Sequence, residues 1–435
     1  MLKAGFSRID VTPPLGAELS GYFQIRYAKG VLDPIYLNTL ALNDGKNTVI
    51  LMALDFIGIR LPFIQKLKKR ISERTSVPED NVIIGALHQH TSCRLDSAQF
   101  TDLTDENYKD VLFRKMEDSA VMAIEDMSDA KVFTGEKETA EPIAFVRRYF
   151  SDQGEVLTNP RTSMYKIVKR CSEADNTVRL IRFAREDKND IVLLNFSTHP
   201  DVIGGEKLSA DWPGFARRFV EEDFDDVSCI FFTGLQGDSN HIDFFKPSNE
   251  RIKFNDGYKH SEYMGRTVAN AVKAIFAEPL KEHTGTDLFS QWEINYNLTN
   301  TEGIEKYDEC KEWYEKYQTK TLGYTPKMGE ISYAYRIIEL RTAPVQLPVP
   351  LSVVGIGDIA FVGFGGEAFT DYGRNIRKLF PDKYLIFSVC TNGYEGYFPT
   401  EEAFKQGGYE ANSSLYTPTL EKEILSSAKR MLDQF

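Results

Sequence analysis

The sequence predicts an α/β protein with a mixed, largely buried β-sheet core flanked by helices and an active site at one pole of the sheet. Two patterns lead there. Short, wholly apolar runs stop abruptly at clusters of polar or titratable residues, and amphipathic stretches separate those runs. Apolar runs of this length suit strands buried on both faces, and ligands gather beyond the strand ends of such sheets. The run from Val49 to Leu54 stops at Asp55, and that from Val82 to Leu87 stops at His88-Gln89-His90. Ile191 to Phe196 runs into Ser197-Thr198-His199-Pro200-Asp201, and Cys229 to Phe232 leads through a turn to Gly237-Asp238-Ser239-Asn240-His241. Ile359 to Val362 leads through glycines to Glu367, and Leu385 to Val389 leads to Asn392 and on to Tyr397. Between them, Asp211-Trp212-Pro213-Gly214 is expected to cap a helix carrying Phe215, Phe219 and Val220, with the proline in the tolerated first turn. Met264, Val268, Ala271, Val272 and Ile275 form one helical stripe, and Leu420, Ile424, Ala428 and Met431 another, both read as core. Ile304, Tyr307, Trp313, Tyr314 and Tyr317 fit a helical excursion over about 301–340, placed either to cap the site or simply to pack.

No linker, low-complexity tract or internal repeat divides the chain, so residues 1–435 read as a single catalytic domain with that insertion. The formal net charge of −12, with no basic stripe against it, argues against nucleic acid and anionic membrane surfaces as partners. Five scattered cysteines, never spaced Cys-x-x-Cys, speak against a disulfide framework or a thiolate zinc site. Met1-Leu2-Lys3-Ala4-Gly5-Phe6 has no apolar signal core and no run is long enough to span a bilayer, so stable membrane insertion is not expected. The expectation is a cytoplasmic chain, although a secreted chain trimmed of its leader would read the same. Oligomeric state is left open.

Metal chemistry is the first functional reading. Residues two apart on a strand share a face, so His88 and His90 can converge on one point, and histidine is the commonest metal ligand. Two histidines leaving a strand together by chance is the plainer alternative. The full set of six histidines tips the balance, because His88, His90, His199 and His241 all sit at strand ends, while His260 and His283 fall in or beside helices. Two imidazoles, a carboxylate and an open position make a catalytic zinc site, and His88, His199 and Glu367 fit it. Magnesium and calcium, which prefer oxygen ligands, come second. The plainer alternative for Glu367, weighed below the ligand reading, is a carboxylate at the start of the helix that carries Phe369, Tyr372, Ile376 and Leu379.

Several colinear segments resemble the neutral/alkaline non-lysosomal ceramidase family. Ile9-Asp10-Val11-Thr12-Pro13-Pro14-Leu15-Gly16 and Gly21-Tyr22 are similar to its N-terminal motifs. Ala86-Leu87-His88-Gln89-His90-Thr91-Ser92 resembles its S-H-T-H-S segment, and Phe196-Ser197-Thr198-His199-Pro200 its second histidine segment. Gly366-Glu367-Ala368-Phe369-Thr370, with Gly373-Arg374 downstream, is similar to its glutamate element, as are Asn392 to Tyr397, Thr400, Tyr409-Glu410-Ala411 and Ser414-Leu415-Tyr416 to its last block. The resemblance implies one Zn2+ held by His88, His199, Glu367 and Tyr397. It further implies that His90 and Arg147 contact the scissile amide and that Tyr409 stabilises the oxyanion, which suits a tetrahedral intermediate.

Departures from the family shape the expected chemistry. The loop serine beside the family's zinc is replaced by Asn240, and Ser239 lies one position early. Attack by zinc-activated water is therefore expected in place of a covalent serine, with Asn240 orienting the water or the carbonyl and Asp238 either assisting or serving the turn. Cys93-Arg94-Leu95-Asp96 replaces the family's glycine-proline segment with polar, charged residues that suit a lipid chain poorly, and the chain ends without the family's C-terminal β-sandwich. The expectation is a zinc-dependent amidohydrolase acting on a small, soluble N-acyl substrate. An esterase or phosphoesterase at the same metal, and a catalytically silent binding protein, are the alternatives.

Overall fold

The structure is a computed structural model, and it describes residues 1–23, 26–93, 95, 106–317 and 326–435. Arg94 and Asp96, whose charge bore on the expected substrate, lie outside the described residues. The chain is mixed α/β, with a large mixed central sheet flanked by helices.

The main sheet runs from Val227–Thr233 through Asp190–Phe196, Thr177–Arg185, Ser128–Glu138, Lys3–Asp10, Tyr36–Asn43 and Thr48–Leu54 to Val82–Ala86, and Lys281–His283 also pairs with Ser128–Glu138. A four-stranded sheet runs from Leu288–Leu298 through Gln346–Ile356 and Ile359–Phe364 to Tyr384–Ser388. One connectivity generates all of this three times. Lys3–Asp10, Tyr36–Asn43 and Thr48–Leu54 pair antiparallel in turn; then the helix Leu61–Thr75 crosses to Val82–Ala86, which pairs parallel with Thr48–Leu54. Ser128–Glu138, Thr177–Arg185 and Asp190–Phe196 repeat the antiparallel series, and the helix Asp211–Asp223 leads to the parallel strand Val227–Thr233. Leu288–Leu298, Gln346–Ile356 and Ile359–Phe364 do so again, with the helix Thr370–Leu379 and the parallel strand Tyr384–Ser388. Each unit is followed by a helix, Glu106–Glu125, Gly257–Phe276 or Leu420–Leu432, that packs on its first two strands. The sequence reading found no internal repeat because this one lies in connectivity, while the apolar side chains that fill each unit differ.

The strands are buried on both faces. In Thr48–Leu54, Ile50, Met52 and Leu54 belong to one apolar cluster, and Val49, Leu51 and Ala53 belong to the other. The ends of the three crossover strands are laced together. Ala86 N donates to Cys390 O at 3.1 Å, Asn392 N to Ile84 O at 2.7 Å, Val389 N to Thr233 O at 3.1 Å, and Thr233 Oγ1 to Leu87 O at 2.7 Å. All three units thereby deliver their loops to one pole.

In the region expected to be a helical excursion, the described residues form the helices Tyr307–Tyr317 and Pro326–Leu340, with residues 318–325 outside the described set. Cys310, Tyr314, Ile331 and Ile337 give these helices a small core of their own. Arg336 ties the pair to the C-terminal segment by donating to Ser414 O at 3.0 Å and Asn300 O at 2.8 Å. Two local expectations are corrected. Asp211 is the first residue of its helix, not the cap; its backbone is left-handed (φ 50°) and its carboxylate accepts from Trp212 N, Val202 N and Ile203 N. His283, expected in or beside a helix, ends a strand, where it contacts Thr134 and Asp358. Among the described residues no helix is long and apolar enough to cross a membrane.

Candidate active site

His88 and His90 do converge, but not through a strand's pleat. The strand stops at Ala86, and His88 takes a left-handed backbone, φ 73°, that turns the chain so that the His88 and His90 rings meet edge to face at 5.0 Å. A non-glycine residue in this region is strained, and such strain gathers where a site dictates geometry. His199 comes from the second unit, with its ring 5.2 Å from His88 and 5.8 Å from His90. One nitrogen from each of the three buried imidazoles lies within 4.8 Å of the others.

His199 and Glu367 occupy matching places, each three residues past the end of the third strand of its unit, after Phe196 and Phe364. The same place in the first unit, after Leu54, is Ile57, whose carbonyl oxygen lies 2.8 Å from His88 Nδ1. His199 Nδ1 donates to the carbonyls of Gln236 and Ser239, both at 2.9 Å. With both Nδ1 atoms on backbone carbonyls, both Nε2 atoms are left to face one carboxylate oxygen. Glu367 Oε2 is 3.3 Å from His88 Nε2 and 3.1 Å from His199 Nε2. Backbone carbonyls behind metal-binding imidazoles fix tautomer and ring orientation in this way. Donors about 2.0–2.1 Å from a tetrahedral zinc stand about 3.3 Å from one another, so these separations fit zinc. Close packing holds the Glu367 backbone in place, since a Cβ on Gly237 would come within 2.3 Å of the Glu367 carbonyl oxygen.

The electrostatics of the triangle couple the charges of His88 and Glu367 and hold His199 neutral. Burial works against the His88 imidazolium, yet the Glu367 carboxylate and Cys390 hold its pKa well above the usual histidine range. Burial likewise opposes ionisation of Glu367, but His88 and His199 keep its pKa well below the usual carboxylate range. Burial first, then Arg147, pushes His199 down to about 3. A buried carboxylate beside two imidazoles calls for a cation.

Tyr397 pairs in parallel register with Glu367, which puts the two side chains on the same face. Its hydroxyl accepts from Arg147 Nη2 at 2.9 Å, while Arg147 Nη1 stands 3.3 Å from His199 Nε2 and Nε donates to Glu410 Oε1 at 2.7 Å. The guanidinium so close to His199 opposes a cation at that nitrogen. Tyr409 stacks edge to face on Tyr397, with ring centroids 5.8 Å apart. Asn240 is otherwise engaged: Nδ2 donates to Asn159 Oδ1 at 2.6 Å, and Oδ1 accepts from Ile242 N at 2.9 Å. Asp238 serves the fold, accepting from Thr370 N at 2.9 Å and Thr370 Oγ1 at 2.5 Å where the next helix begins. His241 lies against His260, with centroids 5.5 Å apart.

No protein-family model matches the sequence. Solved structures do. The crystal structure of neutral ceramidase from Pseudomonas aeruginosa superposes with a TM-score of 0.74 at 15% identity, covering 99% of this chain and 73% of that one. A ceramidase complexed with C2 superposes with a TM-score of 0.73 at 15% identity, covering 99% of this chain and 74% of that one. The chain has the neutral ceramidase fold. Within that fold the sequence reading missed several residues that line the candidate metal cluster. Tyr394 OH donates to Glu367 Oε1 at 3.4 Å, its ring lies 5.5 Å from His88, and Cys390 Sγ is 3.7 Å from His88 Nδ1. Glu410, fully buried, joins Arg147 to Thr158. Tyr394 and Glu410 were visible only as members of motifs, and nothing in their spacing pointed to these partners.

Proposed function

We propose that this chain is a zinc-dependent amidohydrolase that cleaves the N-acyl bond of a small, soluble compound. The observation that carries the reading is the triangle of His88 Nε2, His199 Nε2 and Glu367 Oε2, with both Nδ1 atoms pinned to backbone carbonyls. His88, His199, Glu367 and Tyr397 would hold the metal. When bound to such donors, zinc polarises a carbonyl and brings the pKa of water down to about 7.

The chain's own groups supply the rest. Arg147 is fixed by Glu410 on one side and Tyr397 on the other, so its charge is positioned before any substrate arrives. Such preorganised donors stabilise the oxyanion that develops as an amide carbonyl becomes tetrahedral. Tyr409 offers a second O–H beside Tyr397, and His90 lies on the histidine side of the site, its ring 5.0 Å from His88 and 5.8 Å from His199. Asn240, bonded to Asn159, acts by shaping the loop that carries Ser239 O to His199. The likeness to ceramidases supports an amide as the bond cleaved. The net charge of −12 sets this chain against anionic lipid surfaces and favours a soluble substrate.

Competition between short, polar N-acyl amines and long-chain ceramide in detergent, with zinc-loaded protein, tests the reading. A higher kcat/KM for the short amides is expected. A clear preference for ceramide would restore a lipid substrate, and hydrolysis of neither would remove amidohydrolysis.

A further inference from the structure

The N-terminal segment wraps directly onto His90. Gly21, with φ 98°, packs so closely that a Cβ there would come within 2.6 Å of His90 Cγ. The Tyr22 ring stands edge-on to the His90 ring at 5.4 Å, and its hydroxyl donates to Asp201 Oδ1. That same oxygen lies 3.5 Å from His90 Nδ1. Arg26 closes the cage: its guanidinium sits 4.1 Å from the Tyr22 ring centroid and donates to His90 O at 2.6 Å. His90 N donates to Pro200 O at 3.2 Å, which brings the backbone beside Asp201 into contact as well.

We propose that Asp201, braced by Tyr22, is a positioning residue that takes His90 Nδ1–H and so presents His90 Nε2 to the substrate. This inference rests on the reading of His90 as a substrate contact. Among the described residues neither ring nitrogen of His90 has a hydrogen-bond partner, and 3.5 Å is just beyond hydrogen-bond length. A small rotation of the ring closes that contact, and bonds of this kind tighten when substrate binds. A carboxylate on one imidazole nitrogen fixes which nitrogen faces the reaction, the part an aspartate plays behind a catalytic histidine. Asp201 is suited to the task because the Tyr22 hydroxyl holds it from the far side. The inference also gives the Gly21-Tyr22 motif a role: glycine for the close approach and tyrosine for the brace.

The test uses zinc-loaded, full-length protein and the near-isosteric variant Asp201→Asn, alongside Tyr22→Phe, His90→Ala and His90→Ala combined with Asp201→Asn. Asp201→Asn should lower kcat about ten- to a hundredfold with KM and zinc content unchanged, and Tyr22→Phe should lower it less. The double variant should be no slower than His90→Ala alone. Nitrogen-15 imidazole spectra should show a His90 Nδ1–H signal in the wild type that Asp201→Asn shifts or loses. Wild-type kcat in Asp201→Asn, multiplicative losses in the double variant, or an unchanged His90 spectrum would overturn the proposal. If the wild type hydrolyses no amide, the proposed function fails while the spectrum still decides the role of Asp201.

Discussion

Tyr409 meets Tyr397 edge to face, and desolvation raises the pKa of the Tyr409 phenol, so Tyr409 is a neutral O–H donor at pH 7. Losing one donor to a developing oxyanion typically costs about a hundred- to a thousandfold in turnover. Tyr409→Phe is expected to lose about that factor in kcat while keeping its metal, as steady-state kinetics with elemental analysis would show; loss of zinc would make Tyr409 a structural residue instead. Ser239 makes the opposite case. Its hydroxyl is buried and directed at Gln236 O, and only its carbonyl serves His199. Ser239→Ala should therefore keep near-wild-type turnover, and a serine-directed reagent should label nothing there. A covalent adduct with matching loss of activity would contradict water attack. His88, His199 and Glu367 were legible because each lies within a few residues of the end of an apolar run. Tyr22, Asp201 and Cys390 were not, because their relation to the histidines comes from contacts between units: Tyr22 and Asp201 are 179 residues apart, and Cys390 and His88 are 302 apart.

The helix Leu61–Thr75 shows how far an element can be read from its residues. Leu61, Ile64, Leu67 and Ile71 make the buried face that periodicity predicts, but Lys68 lies on that face too. It is 0% exposed, its Nζ has no hydrogen-bond partner among the described residues, and it sits 3.4 Å from the ring centroid of Trp292 in the third unit. Burial pushes its pKa down to about 7, against the pull of Asp80 and Glu79. The folded pKa is thus below the unfolded value of 10.5, so between about pH 7 and 10.5 the unfolded state binds the extra proton and stability rises with pH. Lys68→Met is expected to be the more stable protein at pH 7, with the difference shrinking as pH rises toward 10. Urea unfolding of both proteins across that range measures it, and a constant difference would mean that Lys68 does not titrate in the fold. Strands were legible for the same physical reason as this helix's apolar face, since a buried surface admits few polar groups. The turn at His88 and the start of the helix at Asp211 were not, because each depends on a positive φ that neither residue type announces.

Three copies of one connectivity arrange the whole molecule around a single pole. The second and third units place His199 and Glu367 at matching positions, and the first supplies the Ile57 carbonyl there and His88 from its crossover strand. The site is therefore a property of the assembled units, and no one of them carries it. That explains why the fold class and the pole were legible in apolar runs, while the threefold plan was not: equivalent positions hold Ile57, His199 and Glu367, which share neither size nor charge. It also explains how the likeness to ceramidases survives at 15% identity, because connectivity and burial persist where side chains change. The proposed function depends on a cation at the meeting point of the units. Elemental analysis of protein prepared without chelator, set beside His88→Ala and His199→Ala, tests this most directly. The account predicts about one zinc per chain in the wild type and loss of the metal from both variants while they remain folded; a wild type free of divalent transition metal, or variants that retain it in full, would contradict it.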